Sequence, residues 1–348
     1  MKFMKTHWNN QFFGLSLVFV ASLGAVSGLA GADEKKEADT QAGTITQTLG
    51  TVQLFTQPMK KISESPESPP PHALFEGMYY SVKTAKVGDV VENGDIIRTA
   101  PGAKARVVYQ NGDQFNVGSA TSYKIAWNKD SGKSDVRIQL MYGKIRGIIS
   151  KGGPRNRLRV RTVSATMGVR GTDFYIFESV GKGTEVSVLR GAVGVKPAAG
   201  KAPAAEIKAG FSAAVNAATS APAVSGANPP LVQPSIELFK TSKQEIQEIQ
   251  KASEISQVPV AQQSTTVAAL ESQAVQTTLN DIKEHDPVLY SKIQAAPAAL
   301  SVEDLNRQSL QAAVEQAPVS SPRRKPKKSE LEDLNSDVYQ KYFPKDSE

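Results

Sequence analysis

Apolar and polar residues alternate through much of the region between residues 43 and 215. On both sides of Gly50, from residue 44 to residue 55, the period is two, which predicts a strand, a glycine turn and a second strand. Similar short runs follow between turn residues, so we predict about a dozen strands in all. The further strands cover residues 79–84, 87–91, 96–99, 105–109, 114–117, 122–127, 136–141, 144–149, 158–163, 174–178, 185–189, 192–195 and 206–215.

Glycine residues mark the turns between these predicted strands. The pairs Asn93-Gly94 and Asn111-Gly112 each lie between two apolar runs. Asn-Gly is a strong hairpin signal because both turn positions need positive φ. Gly143 and Gly191 also separate apolar runs. We therefore expect the chain to reverse at all four glycines, with positive φ at each.

Short strands at regular turn spacing predict an all-β fold. The pattern leaves two architectures open, a β-solenoid-like domain and a rolled antiparallel sheet. We place the domain at residues 43–215, with its core at 87–195. The Pro- and Ser-rich stretch at 58–72 is expected to be an inserted surface loop.

Beyond residue 215 the alternation ends. Residues 216–348 are rich in Ala, Gln, Pro and Lys, and helical spacing is found only at 236–253, 267–293 and 302–314. These segments are too polar to bury a large core. We expect a low-complexity C-terminal tail that is partly helical or disordered, with the basic cluster at 322–328 in solvent.

The N-terminus has the organisation of a secretory signal. Lys2 and Lys5 precede an apolar run at residues 12–23, and small residues at 30–32 fit a cleavage site. We therefore predict a signal peptide at 1–32 and an exported protein, located in the periplasm or cell envelope or secreted. The alternative is an uncleaved anchor, because residues 9–32 carry no charge; membrane contact would then involve this segment alone.

Composition excludes several kinds of chemistry. The chain has no cysteine, so disulfides, thiolate metal sites, a cysteine nucleophile and a lipid-modified N-terminal cysteine are excluded. His72 and His285 are far apart in sequence, and His7 lies in the predicted signal peptide. We find no Ser-His-Asp set, nucleophile elbow or phosphate loop. The sequence therefore predicts a protein that is not an enzyme, with no metal, cofactor or small-molecule substrate.

Positive charge is concentrated in the predicted core. The net charge is +7, and loss of Lys2 and Lys5 with the signal peptide leaves +5. Between Arg98 and Arg170 there are fifteen Lys and Arg residues against three Asp. This excess predicts either an ordinary solvated surface or a face that attracts anionic polymers. Four arginines at every second position would share one face of a strand: Arg155, Arg157, Arg159 and Arg161.

Five segments, in order within residues 87–195, resemble the FecR domain family. They are residues 94–99 (Gly-Asp-Ile-Ile-Arg-Thr), 105–113, 140–146 (Leu-Met-Tyr-Gly-Lys-Ile-Arg), 160–174 and 189–195, and residues 208–211 resemble the family's closing segment. The most distinctive is 160–174, which ends in a match to the family's R-G-T-x-F. The family-motif residues, to which we assign structural roles, are Gly94, Asp95, Thr99, Gly112, Gly143, Arg170, Gly171, Thr172, Phe174 and Gly191.

The resemblance implies a function in envelope signalling or protein–protein interaction, because the family is named for the periplasmic part of iron-dicitrate signalling regulators. Its anti-sigma members carry a cytoplasmic helical domain before their membrane segment. Here about eleven residues precede the apolar run. We therefore expect a FecR-like exported protein that lacks this domain and does not control a sigma factor directly. In the motif block, Thr172 and Asp173 are expected to bond nearby backbone amides and fix a tight bend.

Two binding functions remain open from the sequence. The first partner class is an envelope protein, bound at a sheet edge or surface. The second is an anionic envelope polymer, peptidoglycan or lipopolysaccharide, bound through the four-arginine face. Nucleic acid is not an expected partner, because an exported protein rarely meets it.

Overall fold

The computed structural model describes residues 43–59, 72–128, 135–153, 155, 157–199, 203–216, 235–255, 264–295 and 300–322. These ranges contain eighteen strands and four helices. The strands are β1 (Gly43–Leu49), β2 (Val52–Met59), β3 (His72–Phe75), β4 (Met78–Thr84), β5 (Val90–Val91), β6 (Ile96–Thr99), β7 (Lys104–Tyr109), β8 (Gln114–Val117), β9 (Thr121–Asn128), β10 (Asp135–Ile149), β11 (Leu158–Arg161), β12 (Ala165–Val169), β13 (Thr172–Ser179), β14 (Gly183–Arg190), β15 (Ala192–Pro197), β16 (Ala205–Lys208), β17 (Phe211–Asn216) and β18 (Ile236–Lys240). The helices are α1 (Lys243–Ser253), α2 (Thr265–His285), α3 (Pro287–Gln294) and α4 (Val302–Gln316). The predicted signal peptide at 1–32 and nearly all of the insertion at 58–72 lie outside the described residues.

The strands pair into one network that has two blocks. The first block contains β5, β1, β7, β8, the second half of β10, β13, β14, β17 and β18. The second block contains β3, β4, β2, β6, β9, the first half of β10, β11, β12, β15 and β16. The pairings are antiparallel except for β10 with β11. The chain passes repeatedly from one block to the other.

The hydrophobic core lies between the two blocks. A single cluster of buried apolar side chains includes Val107 and Ile176 of the first block together with Ile97, Tyr123 and Val160 of the second. Alternate residues of each strand point into this cluster because successive side chains of a strand face opposite ways. Burial of each large apolar side chain contributes about 1.5–3 kcal/mol, so the core holds the two blocks together.

Strand β10 joins the blocks. Its first half pairs with β9, and its second half pairs with β8 and β13. The change of partner occurs at Gly143, where φ is +99°. A Cβ atom there would lie 2.4 Å from Thr121 Oγ1 and 2.5 Å from Thr121 Cα. Only glycine fits this crossing, because a side chain would need both positive φ and space that Thr121 occupies.

The four helices begin at side-chain caps. Ser242 caps α1 and Ser301 caps α4 through capping boxes with Glu245 and Asp304, and Ser264 caps α2. The helices pack on the outer face of the first block, through contacts with β1, β7, β8 and β10 and through side chains of β13 and β14. This layer covers the side of the first block that faces away from the core.

The structure confirms a strand-rich fold followed by C-terminal helices. The solenoid alternative is wrong, because a solenoid stacks successive strands in parallel coils whereas these strands alternate between two largely antiparallel blocks. Residues 136–149 do not form two strands with a reversal at Gly143, since β10 runs through as one strand. The chain also does not form hairpins at Gly94 and Gly191, because the strands on either side of each belong to different blocks.

The predicted tail contains one strand and more packed helix than its polar sequence indicated. Residues 236–240 were predicted to be helical, but they form β18 and pair with β17. The helices bury polar as well as apolar side chains against the first block, including Thr278, Asp281, Glu303 and Asn306. The boundary that we place at residue 216 remains a prediction.

Candidate functional site

A layer of buried charge lies between the first block and the helices. Arg106 of β7 is fully buried and points away from the core. Its guanidinium group donates a hydrogen bond to Glu303 of α4, and its Nη1 lies 3.7 Å from Glu271 of α2. Its Nε donates to Asn116 of β8 at 2.8 Å. The helices therefore attach to the sheet through charged contacts as well as apolar ones.

A second buried cluster has Asp173 at its centre. Arg146 donates two hydrogen bonds to this carboxylate, from Nε at 2.9 Å and from Nη2 at 2.7 Å. Arg190 Nη2 lies 2.9 Å from Asp173 Oδ2 but is not aligned for a hydrogen bond. Arg190 Nε donates to Asp281 of α2 at 2.5 Å. Arg146, Asp173 and Arg190 come from three separate motif segments, which this cluster brings together beneath the helices.

The helix side of this cluster has shifted pKa values. Burial would raise the pKa of Asp281, but the attraction of Arg190 and the hydrogen bonds from His285 and Arg190 outweigh it and lower the pKa. The hydrogen bond with Asp281 raises the pKa of His285. Burial would lower the pKa of Arg190, and Asp173 and Asp281 together raise it. All three shifts favour the charged forms, so the cluster is a set of ion pairs.

Arg155 belongs to a third buried cluster and not to an exposed arginine face. Its Nε donates to Asp113 at 2.7 Å, and its guanidinium group lies 3.8 Å from the ring centroid of Tyr109. Asp113 also accepts two hydrogen bonds from Ser150, each of 2.7 Å. Arg155 is 1% exposed, so the prediction that it shares a face with Arg157, Arg159 and Arg161 is wrong.

The outer face of the second block carries the remaining members of that row. Leu158 and Val160 of β11 point into the core, so Arg159 and Arg161 point outward. Arg159 lies beside Arg137 of β10 in the strand register. Arg137 and Arg161 are exposed and Arg159 is half-buried, while Arg157 is exposed in the turn before β11. Lys124 of β9 and Lys196 of β15 also point outward, on either side of these arginines.

The predicted motif residues occupy turns, strand ends and buried contacts. Asp95 Oδ2 accepts a hydrogen bond from the backbone N–H of Glu92 at 2.8 Å. Burial raises the pKa of Asp95 to about 6. Thr172 and Phe174 are buried in β13, where the Phe174 ring packs against Gly147, and Arg170 is exposed. The motif glycines all have positive φ: Gly94, Gly112, Gly143, Gly171 and Gly191.

The expectation for Asp173 was wrong in its detail. We expected its carboxylate to bond nearby backbone amides, but it binds the guanidinium groups of Arg146 and Arg190. The sequence contained one signal for this layer. Arg106 and Arg146 stand within the otherwise apolar runs of predicted strands, and an arginine there needs a buried acidic partner.

The described residues include neither a metal-binding group nor a helix that could span a membrane. No group of three His, Asp or Glu side chains among them is arranged to hold a metal ion. None of the helices in the described part of the chain has the length and apolar character needed to cross a bilayer.

Comparison with known proteins supports the family resemblance. The model of the family described as FecR protein matches residues 95–194, which confirms the predicted resemblance. Two solved structures are similar to this chain, each with a TM-score of 0.29, at sequence identities of 18% and 19%. Both are of a protein from Parabacteroides distasonis ATCC 8503 that is described as a candidate anti-sigma factor, at 2.50 and 1.65 Å resolution. Each comparison covers 35% of this chain and 54% of the solved one, so this chain spans about half of their length. No curated protein matches the chain.

Proposed function

We propose that this FecR-domain protein is an exported, non-catalytic envelope protein that acts in signalling by binding another protein. The observation that carries the proposal is the difference between the two outer faces. Helices cover the outer face of the first block, whereas the outer face of the second block presents exposed Arg137 and Arg161. The match to the FecR family model supports a signalling role.

The contacts of the motif residues favour a structural role for them over a catalytic one. Asp173 has both carboxylate oxygens engaged by Arg146, and Thr99 bonds backbone groups of neighbouring turns. A general base or nucleophile needs an accessible atom beside its substrate. Asp173 instead links strands of the first block beneath the helices, and Thr99 links the loops around Gly118 and Thr121.

The outer face of the second block has features that favour protein binding. Beside the basic row, Phe55, Tyr80 and Ile96 form a cluster on the outer side of the block. Arg98 lies over the Phe55 ring, and Lys124 lies over the Tyr80 ring and donates to its hydroxyl group at 3.1 Å. The rings of Phe55 and Tyr80 are themselves buried, so this face offers a partner its exposed arginines. Arginine is enriched in protein interfaces, and the face therefore suits a partner with acidic groups.

Export is part of the proposal and rests on the N-terminal sequence at 1–32. Cell fractionation of the producing bacterium, with mass spectrometry of the mature N-terminus, tests it. Recovery of the protein in the envelope or periplasmic fraction with a new N-terminus near residue 33 is expected. Recovery in the cytoplasm with Met1 present would contradict this part of the proposal.

Affinity purification of the full chain from envelope extracts tests the binding face. We expect a defined protein partner that stays bound in high salt and is lost from the double variant Arg137→Gln, Arg161→Gln. A charge-matched control is Lys182→Gln with Lys240→Gln, whose side chains are exposed in the first block. A partner retained by the double variant, or lost equally from the control, would contradict binding at this face.

An anionic envelope polymer is the second candidate ligand. It is favoured by the basic residues that lie across one face, namely Lys124, Arg137, Arg159, Arg161 and Lys196. Screening by salt weakens contacts between exposed charges. If the polymer is the ligand, binding of purified peptidoglycan or lipopolysaccharide should fall steeply with salt and fall again in the Arg137→Gln, Arg161→Gln variant. Salt-independent capture of a protein would instead favour the first proposal.

A further inference from the structure

A groove of about 330 Å³ lies at one end of β2 and β6, on the outer side of the second block. Gln53 of β2 is opposite Arg98 of β6, Arg98 is opposite Ser122 of β9, and Ser122 is opposite Tyr142 of β10. Neighbouring strands are about 4.8 Å apart, so Gln53 and Tyr142 stand roughly 14 Å apart across the groove. The residues that line it are Thr51, Gln53, Arg98, Thr99, Ala100, Pro101, Ala120 and Tyr142.

Several polar side chains of this groove lack partners among the residues that the structure describes. Among the described residues, no hydrogen bond or ion pair is made by the guanidinium group of Arg98, the amide of Gln53 or the hydroxyl of Tyr142. Arg98 Nε is buried as well as unpaired. Burial of a polar group without a hydrogen-bond partner is unfavourable, so the guanidinium group of Arg98 has unused capacity to bind a ligand.

The ring of Phe55 holds the guanidinium group of Arg98 in position. Its guanidinium carbon lies 5.1 Å from the ring centroid of Phe55, which is buried. This cation–π contact orients the planar group without using its N–H donors. The two Nη groups, which are not buried as Nε is, therefore remain available for a planar acceptor, and carboxylates match a guanidinium group through two parallel hydrogen bonds.

The rim of the groove is fixed by hydrogen bonds between two loops. Thr99 Oγ1 donates to the carbonyl of Gly118 at 2.6 Å and accepts from the N–H of Thr121 at 3.0 Å. Ala120 N–H donates to the carbonyl of Ala100 at 3.2 Å. Ala120 has φ of +50°, and such backbone strain in a residue other than glycine persists where the surroundings enforce it, often at binding sites.

We propose that this groove binds a small ligand with one carboxylate next to a small apolar group, as at the end of a short peptide. Arg98 binds the carboxylate, Gln53 and Tyr142 bind neighbouring polar atoms, and Ala100, Pro101 and Ala120 contact the apolar part. The volume is at the lower end of the range for small-molecule sites, about 300–1,000 Å³. A single cation in the lining matches a monoanion better than a phosphate dianion. The sequence did not predict a small ligand, and this site is independent of the proposed protein-binding function.

Titration of the full chain with N-acetyl-L-alanine, followed by NMR, tests the proposal. The expected result is a saturable shift of the Arg98 Nε–Hε signal and of the backbone amides of Thr51, Ala100 and Ala120. N-acetyl-L-alanine amide has nearly the same shape without the charge and should cause little shift. Inorganic phosphate is the third probe and should bind more weakly than the carboxylate.

Variants identify the groove as the site. Arg98→Gln should weaken binding about tenfold or more, because a hydrogen bond to a charged group contributes about 1.5–3 kcal/mol. Lys182→Gln, exposed in the first block and outside the groove, should bind as the parent does. If Arg98→Gln does not fold, Gln53→Leu, which keeps the cation, serves as the second variant and should also weaken binding.

Three results would overturn the proposal. The first is no saturable shift up to the solubility limit of the carboxylate probe. The second is equal binding of the carboxylate, its amide and phosphate. The third is unchanged binding by folded Arg98→Gln or, in its absence, by Gln53→Leu. None of these results depends on whether a protein partner binds the rest of the face.

Discussion

The two outer faces of this molecule use arginine in opposite ways. On the first block, Arg106, Arg146 and Arg190 lie beneath helices and pair with carboxylates from the sheet and from the C-terminal helices. On the second block, Arg137 and Arg161 stand at the surface. Arginine thus attaches the helices to the sheet on the outer face of the first block, whereas on the outer face of the second block it is exposed to solvent.

This difference changes the meaning of the positive charge in residues 98–170. The count of fifteen basic residues predicted either an ordinary solvated surface or a face for anionic polymers. Both place the charge in solvent, but Arg106, Arg146 and Arg155 are buried with acidic partners. Acidic residues of the helices, Glu271 and Glu303, neutralise part of the excess by pairing with Arg106. The charge available to a partner is therefore smaller than the sequence indicates and is confined to particular parts of the surface.

The largest effect is expected from Asp173→Asn. This change leaves Arg146 buried without a carboxylate partner and close to Arg190, which keeps only Asp281. Loss of one partner of a buried ion pair costs about 3–5 kcal/mol. Urea denaturation should show a loss of this size in the free energy of unfolding. The control is Arg170→Gln in the same motif, which is exposed and should change stability by less than about 0.5 kcal/mol. Similar small effects from both variants would refute the central role of Asp173.

A smaller loss in the free energy of unfolding is expected from Glu303→Gln, which removes the charge that pairs with Arg106. The cost should be about 2 kcal/mol, since a charge-assisted hydrogen bond is weakened while Glu271 stays 3.7 Å from Arg106. Hydrogen exchange in α2 and α4 should become faster, because these helices attach through this contact. Glu315→Gln, exposed on the same helix, is the control. Unchanged exchange in Glu303→Gln would mean that apolar contacts alone hold the helices.

The pH dependence of stability should distinguish Asp95 from the paired aspartates. Its pKa in the folded protein is about 6 and its ordinary value is 3.8, so between these pH values the folded state holds a proton that the unfolded state has released. The contribution of Asp95 to stability is therefore most favourable below about pH 4 and is lost as the pH rises to about 6.

Asp95→Asn should remove this contribution, because the amide does not titrate. The free energy of unfolding, measured from pH 4 to pH 7, should fall less with pH in the variant than in the parent. Parallel curves for the two proteins would show that Asp95 is not held protonated by its burial.

The smallest effect on stability is expected on the uncovered face. Arg137→Gln and Arg161→Gln should each change the free energy of unfolding by less than about 0.5 kcal/mol, because exposed charges contribute little. Thermal unfolding of the variants measures this. A loss above 2 kcal/mol from either would mean that the two faces do not differ in the way described.

Periodicity predicted most strands of the domain because alternation of side chains is a local property of a half-buried strand. The regions of β1, β2, β7, β8 and β9 were all found where expected. Partner choice was not predictable in the same way. Asn111-Gly112 joins strands that pair with each other, whereas Asn93-Gly94 joins strands of different blocks. A turn signal specifies local φ values, and the destination of the next strand depends on the core.

In the candidate sites too, local sequence patterns did not specify the distant partners of a residue. The row of alternating arginines was visible in the sequence, and Arg159 and Arg161 do point outward from β11. Arg155 has the same spacing but precedes the strand and turns inward to Asp113. The groove beside Arg98 could not be predicted, because its lining comes from three strands and three loops.

The sequence by itself determined the alternating strands, the positive-φ glycine turns and the FecR motif, since each depends on residues close together in the chain. Tertiary structure alone decided which arginines are buried, which face the helices cover and which polar groups remain unpaired. The physical reason is that burial and ion pairing depend on distant residues: Arg106 and Glu303 are 197 positions apart, and neither shows its partner in its own neighbourhood.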